Sequence, residues 1–103
     1  MIVGVLTVEV AILEAQSLKD KRRVILGFKQ RLRNRFNVSV SEVGYGDAAK
    51  RCTLGIAMVS GESRGVHSQF DKIVDMVRAT PGLTLLEYER EVSGPHCAHP
   101  DAP

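Results

Sequence analysis

Hydrophobic positions along the chain fall into six blocks with two different periods. Residues 2–13 (IVGVLTVEVAIL) are rich in Val and Ile and predict a strand, because β-branched side chains suit a pleated surface. The even positions Ile2, Leu6, Val8, Val10 and Ile12 form the more apolar set, and the odd positions include Thr7 and Glu9. One face of this strand is expected against helices and the other is expected to be less deeply buried. From Leu18 to Arg35 the period turns helical, with Leu18, Val24, Ile25, Phe28 and Leu32 on one stripe. Ser17 is the expected N-cap, and Asp20 three residues on suggests a weak capping box. Residues 37–43 (NVSVSEV) alternate as a half-buried strand does, and Gly44-Tyr45-Gly46-Asp47 is a turn signal.

Arg51 to Ser60 predicts another strand, with Leu54, Ile56 and Met58 on one side and Thr53, Gly55 and Ala57 on the other. Glu62 to Ala79 is a second amphipathic helix built on Val66, Phe70, Ile73, Val74 and Val77, and Pro81-Gly82 ends it. Ser60 and Ser63, like Ser17, look like caps. Leu83 to Val92 is the last strand, and its odd positions Glu87, Glu89 and Glu91 form an acidic row.

The order strand, helix, strand, strand, helix, strand predicts an α+β fold. With right-handed crossovers it becomes a ferredoxin-like βαββαβ sandwich, a four-stranded antiparallel sheet with both helices on one face. A chain of 103 residues with 25% charged positions fits one such domain, residues 1–92, and leaves no room for a second. Residues 93–103 hold three of the four prolines, lack periodicity and are expected to be a disordered tail. Two cysteines, Cys52 and Cys97, are no disulfide framework and suit a reducing cytosol. The apolar run at residues 2–13 carries Glu9, lacks a basic leader and is too short to span a bilayer. These features predict a cytoplasmic protein without a membrane partner.

Charge changes the picture more than composition does. The net charge of +2 conceals a split, because residues 19–35 contain eight of the 14 basic side chains and one acid, Asp20. That segment is +7 and the remainder −5. A helix favours acids at its start and bases at its end, so Arg31, Arg33 and Arg35 need no special reason. Lys19, Lys21, Arg22 and Arg23 crowd the wrong end. A helix start ringed by cations suits phosphate. Arg22, Lys29 and Arg33 extend it along one strip at spacings of roughly 10 and 6 Å. Nucleic acid is the expected partner, held by Lys19, Arg22, Arg23, Lys29 and Arg33; the plain alternative is a solvated face that serves solubility. Lys21 points with the core residues by phase, so it is expected to snorkel at the helix end or to meet a carboxylate such as Glu14 or Glu42.

The turn at Gly44 carries the other candidates. Gly44-Tyr45-Gly46-Asp47-Ala48-Ala49 fits the loose pattern G-x-G-x-x-A, but a dinucleotide site needs a helix next and here a strand follows. A mobile hairpin tip with Tyr45 exposed and Lys50 and Arg51 at its base suits stacking on an unpaired base. The alternative is a turn with an incidental tyrosine. RNA recognition on the open sheet face would need aromatics on the central strands, and they have none. That face, with Val5, Thr7, Ala11, Val43, Thr53, Gly55, Ala57 and Val59, is small, flat and moderately apolar, which suits a homodimer; the alternative is a weakly hydrated monomer surface.

No catalytic set emerges. His67 sits at the flank of its helix stripe, Glu87, Glu89 and Glu91 read as a solvated strand face, and no nucleophile adjoins a base. A phosphatase-like site after the first strand would need glycines and an arginine that Glu14-Ala15-Gln16-Ser17 lacks. His96, Cys97 and His99 offer three metal ligands without a fourth or a rigid scaffold. No enzyme activity, metal or cofactor is expected.

Ser17-Leu18-Lys19-Asp20-Lys21-Arg22-Arg23, then Arg31-Leu32-Arg33-Asn34-Arg35-Phe36-Asn37-Val38-Ser39-Val40 and Glu42-Val43, resemble the YlxP-like family of small bacterial proteins. Leu54-Gly55-Ile56-Ala57-Met58-Val59-Ser60 continues the match, which covers about residues 2–92. The resemblance implies a ferredoxin-like fold. Family genes often neighbour those of translation initiation and ribosome-binding factors, so it also implies a link to rRNA or a ribosomal particle. Members often carry a bulky residue where this chain reads Asp47-Ala48-Ala49-Lys50. The expectation is therefore a non-enzymatic protein that contacts structured RNA or a ribosomal particle through its first helix, in translation or ribosome maturation. The alternative is a dimeric interaction module that uses the sheet face.

Overall fold

The computed structural model describes residues 1–94. The chain runs β1 (Ile2–Ala11), α1 (Leu18–Arg35), β2 (Ser39–Gly44), β3 (Arg51–Ser60), α2 (Ser63–Ala79) and β4 (Thr84–Ser93). The strands pair antiparallel in the order β2-β3-β1-β4. Both helices cover one face, which makes the fold the expected ferredoxin-like sandwich. No helix among the described residues is long and apolar enough to cross a membrane.

The period-2 patterns decide which face is covered. Ile2, Leu6, Val8 and Val10 of β1 and Cys52, Leu54, Ile56 and Met58 of β3 are buried, and with Phe28 of α1 and Phe70 of α2 they form one core. Gly4 shares the covered face because α2 comes too close for a side chain. A Cβ there would lie 2.4 Å from Val66 Cγ1 and 3.0 Å from the Phe70 ring. On the open face Val5, Val43 and Val59 are exposed, but Ala11, expected there, is buried at 4% exposure.

Strand ends differ from the expected bounds for local reasons. β1 stops at Ala11, after which one more bond runs from Ile12 N–H to Lys50 O at 2.9 Å before the chain turns through Ala15 N–H to Ile12 O. Asn37 and Val38 precede β2, because Val38 N–H turns back onto Phe36 O at 3.0 Å. Two register shifts add single residues to edge strands. Val43 is the extra residue between Glu42 and Gly44 on β2, and Leu86 is the extra residue opposite Glu9 and Val10 on β4.

Caps follow the expectations at one helix and depart from them at the other. Ser17 Oγ accepts from Asp20 N–H at 3.1 Å. Asp20 reaches back one residue further than a standard box, accepting from Gln16 N–H at 3.0 Å. At α2 the cap is Glu62, with no side-chain bond of its own; Ser63 is already helical, and Ser60 Oγ accepts from Glu62 N–H instead. Gly82, at φ 91°, turns the chain after α2, and Thr80 Oγ1 donates to Met76 O at 2.6 Å. Ser93, expected in the tail, closes β4, and the rest of that expectation from residue 95 on, with His96, Cys97 and His99, lies outside the described residues.

Candidate nucleic-acid interface

α1 lies over β2, and α2 over β4, β1 and β3. This placement sorts the basic residues of α1 by direction. Lys21, Ile25, Phe28 and Leu32 point inward and are buried. Lys19, Arg22 and Arg23 are exposed and Lys29 is half-buried; among the described residues none of the four is within salt-bridge distance of a carboxylate. Arg22 and Lys29 line a shallow groove with Leu26 and Glu42 on the flank of α1 that faces β2. The acidic row is on the other side of the sheet. Glu87, Glu89 and Glu91 pair opposite Glu9, Thr7 and Val5, on the open face at the far edge. The two charge blocks are thus separated by the sheet rather than neutralised by each other.

Lys21 is the exception on α1. The residue is 1% exposed, and its ammonium meets three oxygens: Glu42 Oε2 at 2.7 Å, Tyr45 O at 2.6 Å and Ala48 O at 2.9 Å. Two hydrogen bonds to carbonyls and the ion pair with Glu42 offset the cost of burying the charge. Of the two expected carboxylates the structure selects Glu42. It sits opposite Leu54 on the covered side of β2, where alternation turns its side chain toward α1. The two carbonyls were not foreseen, because a backbone acceptor leaves no mark in sequence. Beside this pair, Cys52 has its thiol pushed up to about 12, first by burial and then by the Glu42 carboxylate.

The remaining candidates are engaged within the protein. Arg33 donates to Val40 O at 3.1 Å, so the strip of Arg22, Lys29 and Arg33 is anchored to β2 at its far end. Lys50 Nζ donates to Leu13 O at 3.1 Å. Arg51 pairs with Glu9 and lies over the Tyr45 ring at 4.6 Å from its centroid, donating also to the phenolic oxygen at 3.3 Å. Glu9 and Arg51 come together because the β1–β3 register sets Glu9 opposite Thr53 and Arg51 opposite Ala11, neighbours on the open face. An acid in an otherwise apolar strand was the sequence signal for this pair. The hairpin expected to be mobile is held to α1 by Lys21. On α2, Arg90 of β4 binds Asp71 at 2.8 Å and His67 O at 3.3 Å.

Among the described residues no group of three or more His, Cys, Asp or Glu side chains is arranged to hold a metal ion. The site therefore consists of cations on an outward helix face, an arrangement suited to a polyanion. Together the fold and this surface define a ferredoxin-like α+β domain with a basic first helix. Residues 3–90 match the family described as "Protein of unknown function (DUF503)", and the chain belongs to that family. It is 35% identical over 81 residues to "Uncharacterized protein YlxP" of Bacillus subtilis (strain 168), an alignment that spans 79% of this chain and 88% of that protein.

Proposed function

We propose that this domain is a non-enzymatic RNA-contacting protein that uses α1 to hold the phosphates of structured RNA or of a ribosomal particle, in translation or ribosome maturation. One observation carries the reading: Lys19, Arg22, Arg23 and Lys29 stand on α1 without carboxylate partners among the described residues, while the acids of β4 lie across the sheet. Lys19, Arg22 and Arg23 at the helix start repel one another and the helix dipole, a cost that a polyanion reverses. Contacts of this kind position a protein without reading base sequence. The reading entails a cytoplasmic location.

Co-sedimentation with ribosomal subunits over a salt series, with binding to rRNA fragments alongside, tests it. Four phosphate contacts give a log–log slope of roughly −3 to −4. No binding at low salt, or binding unchanged by Arg22→Ala with Arg23→Ala, removes the proposal.

A second reading, a homodimer through the open sheet face, is favoured by the exposure of Val5, Val43 and Val59 around the small residues Gly55 and Ala57. Association through this face is insensitive to salt and is abolished by Val59→Asp. Sedimentation equilibrium on both proteins separates it from the first reading.

A further inference from the structure

Tyr45 is the one non-glycine residue with positive φ among the described residues, at 63°. Left-handed backbone costs a side chain with a Cβ about 1–2 kcal/mol, and Gly44 and Gly46 adjoin it. Three contacts hold the residue in this conformation. Lys21 donates to its carbonyl at 2.6 Å, Ala48 N–H donates to the same oxygen at 3.1 Å, and Arg51 covers its ring. The residue is nevertheless 47% exposed. Burial of the ring therefore does not account for the strain.

The surroundings specify what the ring can take. Glu9 already neutralises Arg51, so this end of the sheet is a poor seat for a phosphate and a good one for a flat, uncharged ring. Lys50, beside it, spends one of its three N–H donors on Leu13 O and keeps two for a neighbouring phosphate. Through Lys21 the Tyr45 carbonyl is fixed to the first turn of α1, between Arg22 and Asp20, where the strip from Lys29 to Arg22 ends. The ring, stacked with Arg51, lies on the open-face side of the hairpin. To reach it from α1 the nucleic acid must bend round the hairpin tip, which a single unpaired nucleotide does more readily than a duplex.

We infer that Tyr45 is a stacking platform for one unpaired base of the RNA held by α1. This rests on the RNA reading above and narrows its substrate to a helix that ends in, or is interrupted by, an unpaired nucleotide. Lys21 is a positioning residue that sets the backbone from which the ring projects.

The test measures fluorescence anisotropy with two RNA hairpins whose strands are joined by a non-nucleotide linker, one blunt-ended and one identical except for a single unpaired adenosine at its 3′ end. The wild-type protein is expected to prefer the second about tenfold, the scale of one base–aromatic stack. Tyr45→Phe keeps the ring and retains the preference. Tyr45→Asn removes the ring while tolerating the same backbone, and binds both hairpins with the blunt-end affinity and an unchanged salt slope. Thermal melts of both variants confirm folding. Equal wild-type affinity for the two hairpins overturns the stacking role, as does a preference that survives in Tyr45→Asn or is lost in a folded Tyr45→Phe. In each of those cases salt-dependent binding to the blunt hairpin keeps the RNA reading standing. If neither hairpin binds wild-type protein at low salt, the RNA reading fails and this inference with it.

Discussion

The two helices occupy matching places on one face of the sheet, are 18 and 17 residues long, and bury one stripe each. Their outer faces differ. α2 mixes Arg64, Lys72 and Arg78 with Asp71 and Asp75, and each of its acids has a basic partner, Arg90 for Asp71 and Arg78 for Asp75. α1 carries eight bases and one acid, and that acid is occupied with the N-terminal cap. The buried stripes differ too: α2 contributes apolar side chains alone, whereas α1 contributes Lys21. Since α2 meets the demands of the fold with balanced charge, packing does not require the excess on α1. Two cations of α1, Lys21 and Arg33, belong to the architecture, and Lys19, Arg22, Arg23 and Lys29 are surplus to it.

That division implies that inward changes act on stability and outward changes on binding. The largest effect is expected at Lys21. Lys21→Met strands the Glu42 carboxylate and the carbonyls of Tyr45 and Ala48, and urea unfolding should show a loss of about 3–5 kcal/mol. A loss under about 1 kcal/mol would make Lys21 another surplus charge and erase the distinction. Next is Gly4→Ala, which probes the close seat of α2. The added methyl meets Val66 and Phe70, and the expected cost is about 1–3 kcal/mol in the same assay.

Outward substitutions sharpen the contrast. Arg22→Ala with Arg23→Ala should change stability by no more than about 0.5 kcal/mol. The same pair should reduce the salt slope of RNA binding by about 1.8, two phosphate contacts. The matched change on α2, Arg64→Ala with Lys72→Ala, should leave that slope alone. Equal effects from the two pairs would show that net charge, not α1, governs binding.

The last effect is confined to high pH. Cys52 has an ordinary value of 9.0 and is pushed up to about 12 in the fold. Between these values the unfolded chain has lost a proton that the folded chain keeps. The contribution is therefore complete below pH 9 and declines as pH rises, by at most about 1.4 kcal/mol per pH unit. The stability difference between wild type and Cys52→Ala should be flat below pH 9 and shrink above it, as read from denaturant unfolding at each pH.

Element order, the covered faces of β1 and β3, the stripes of both helices and the Ser17 cap were legible in sequence, because period and capping are local properties of neighbouring residues. The asymmetry of charge was legible for the same reason. Which cations are spent was not. Arg33 on Val40 O, Lys50 on Leu13 O, Arg51 on Glu9 and Lys21 on two carbonyls of the hairpin are partnerships across strands and layers. They depend on strand order, on the register of β1 with β3 and on the extra residue at Val43. A pattern of apolar positions states which side of an element is inward, whereas an ion pair requires the distance between two elements, and that distance exists only once the sheet is assembled.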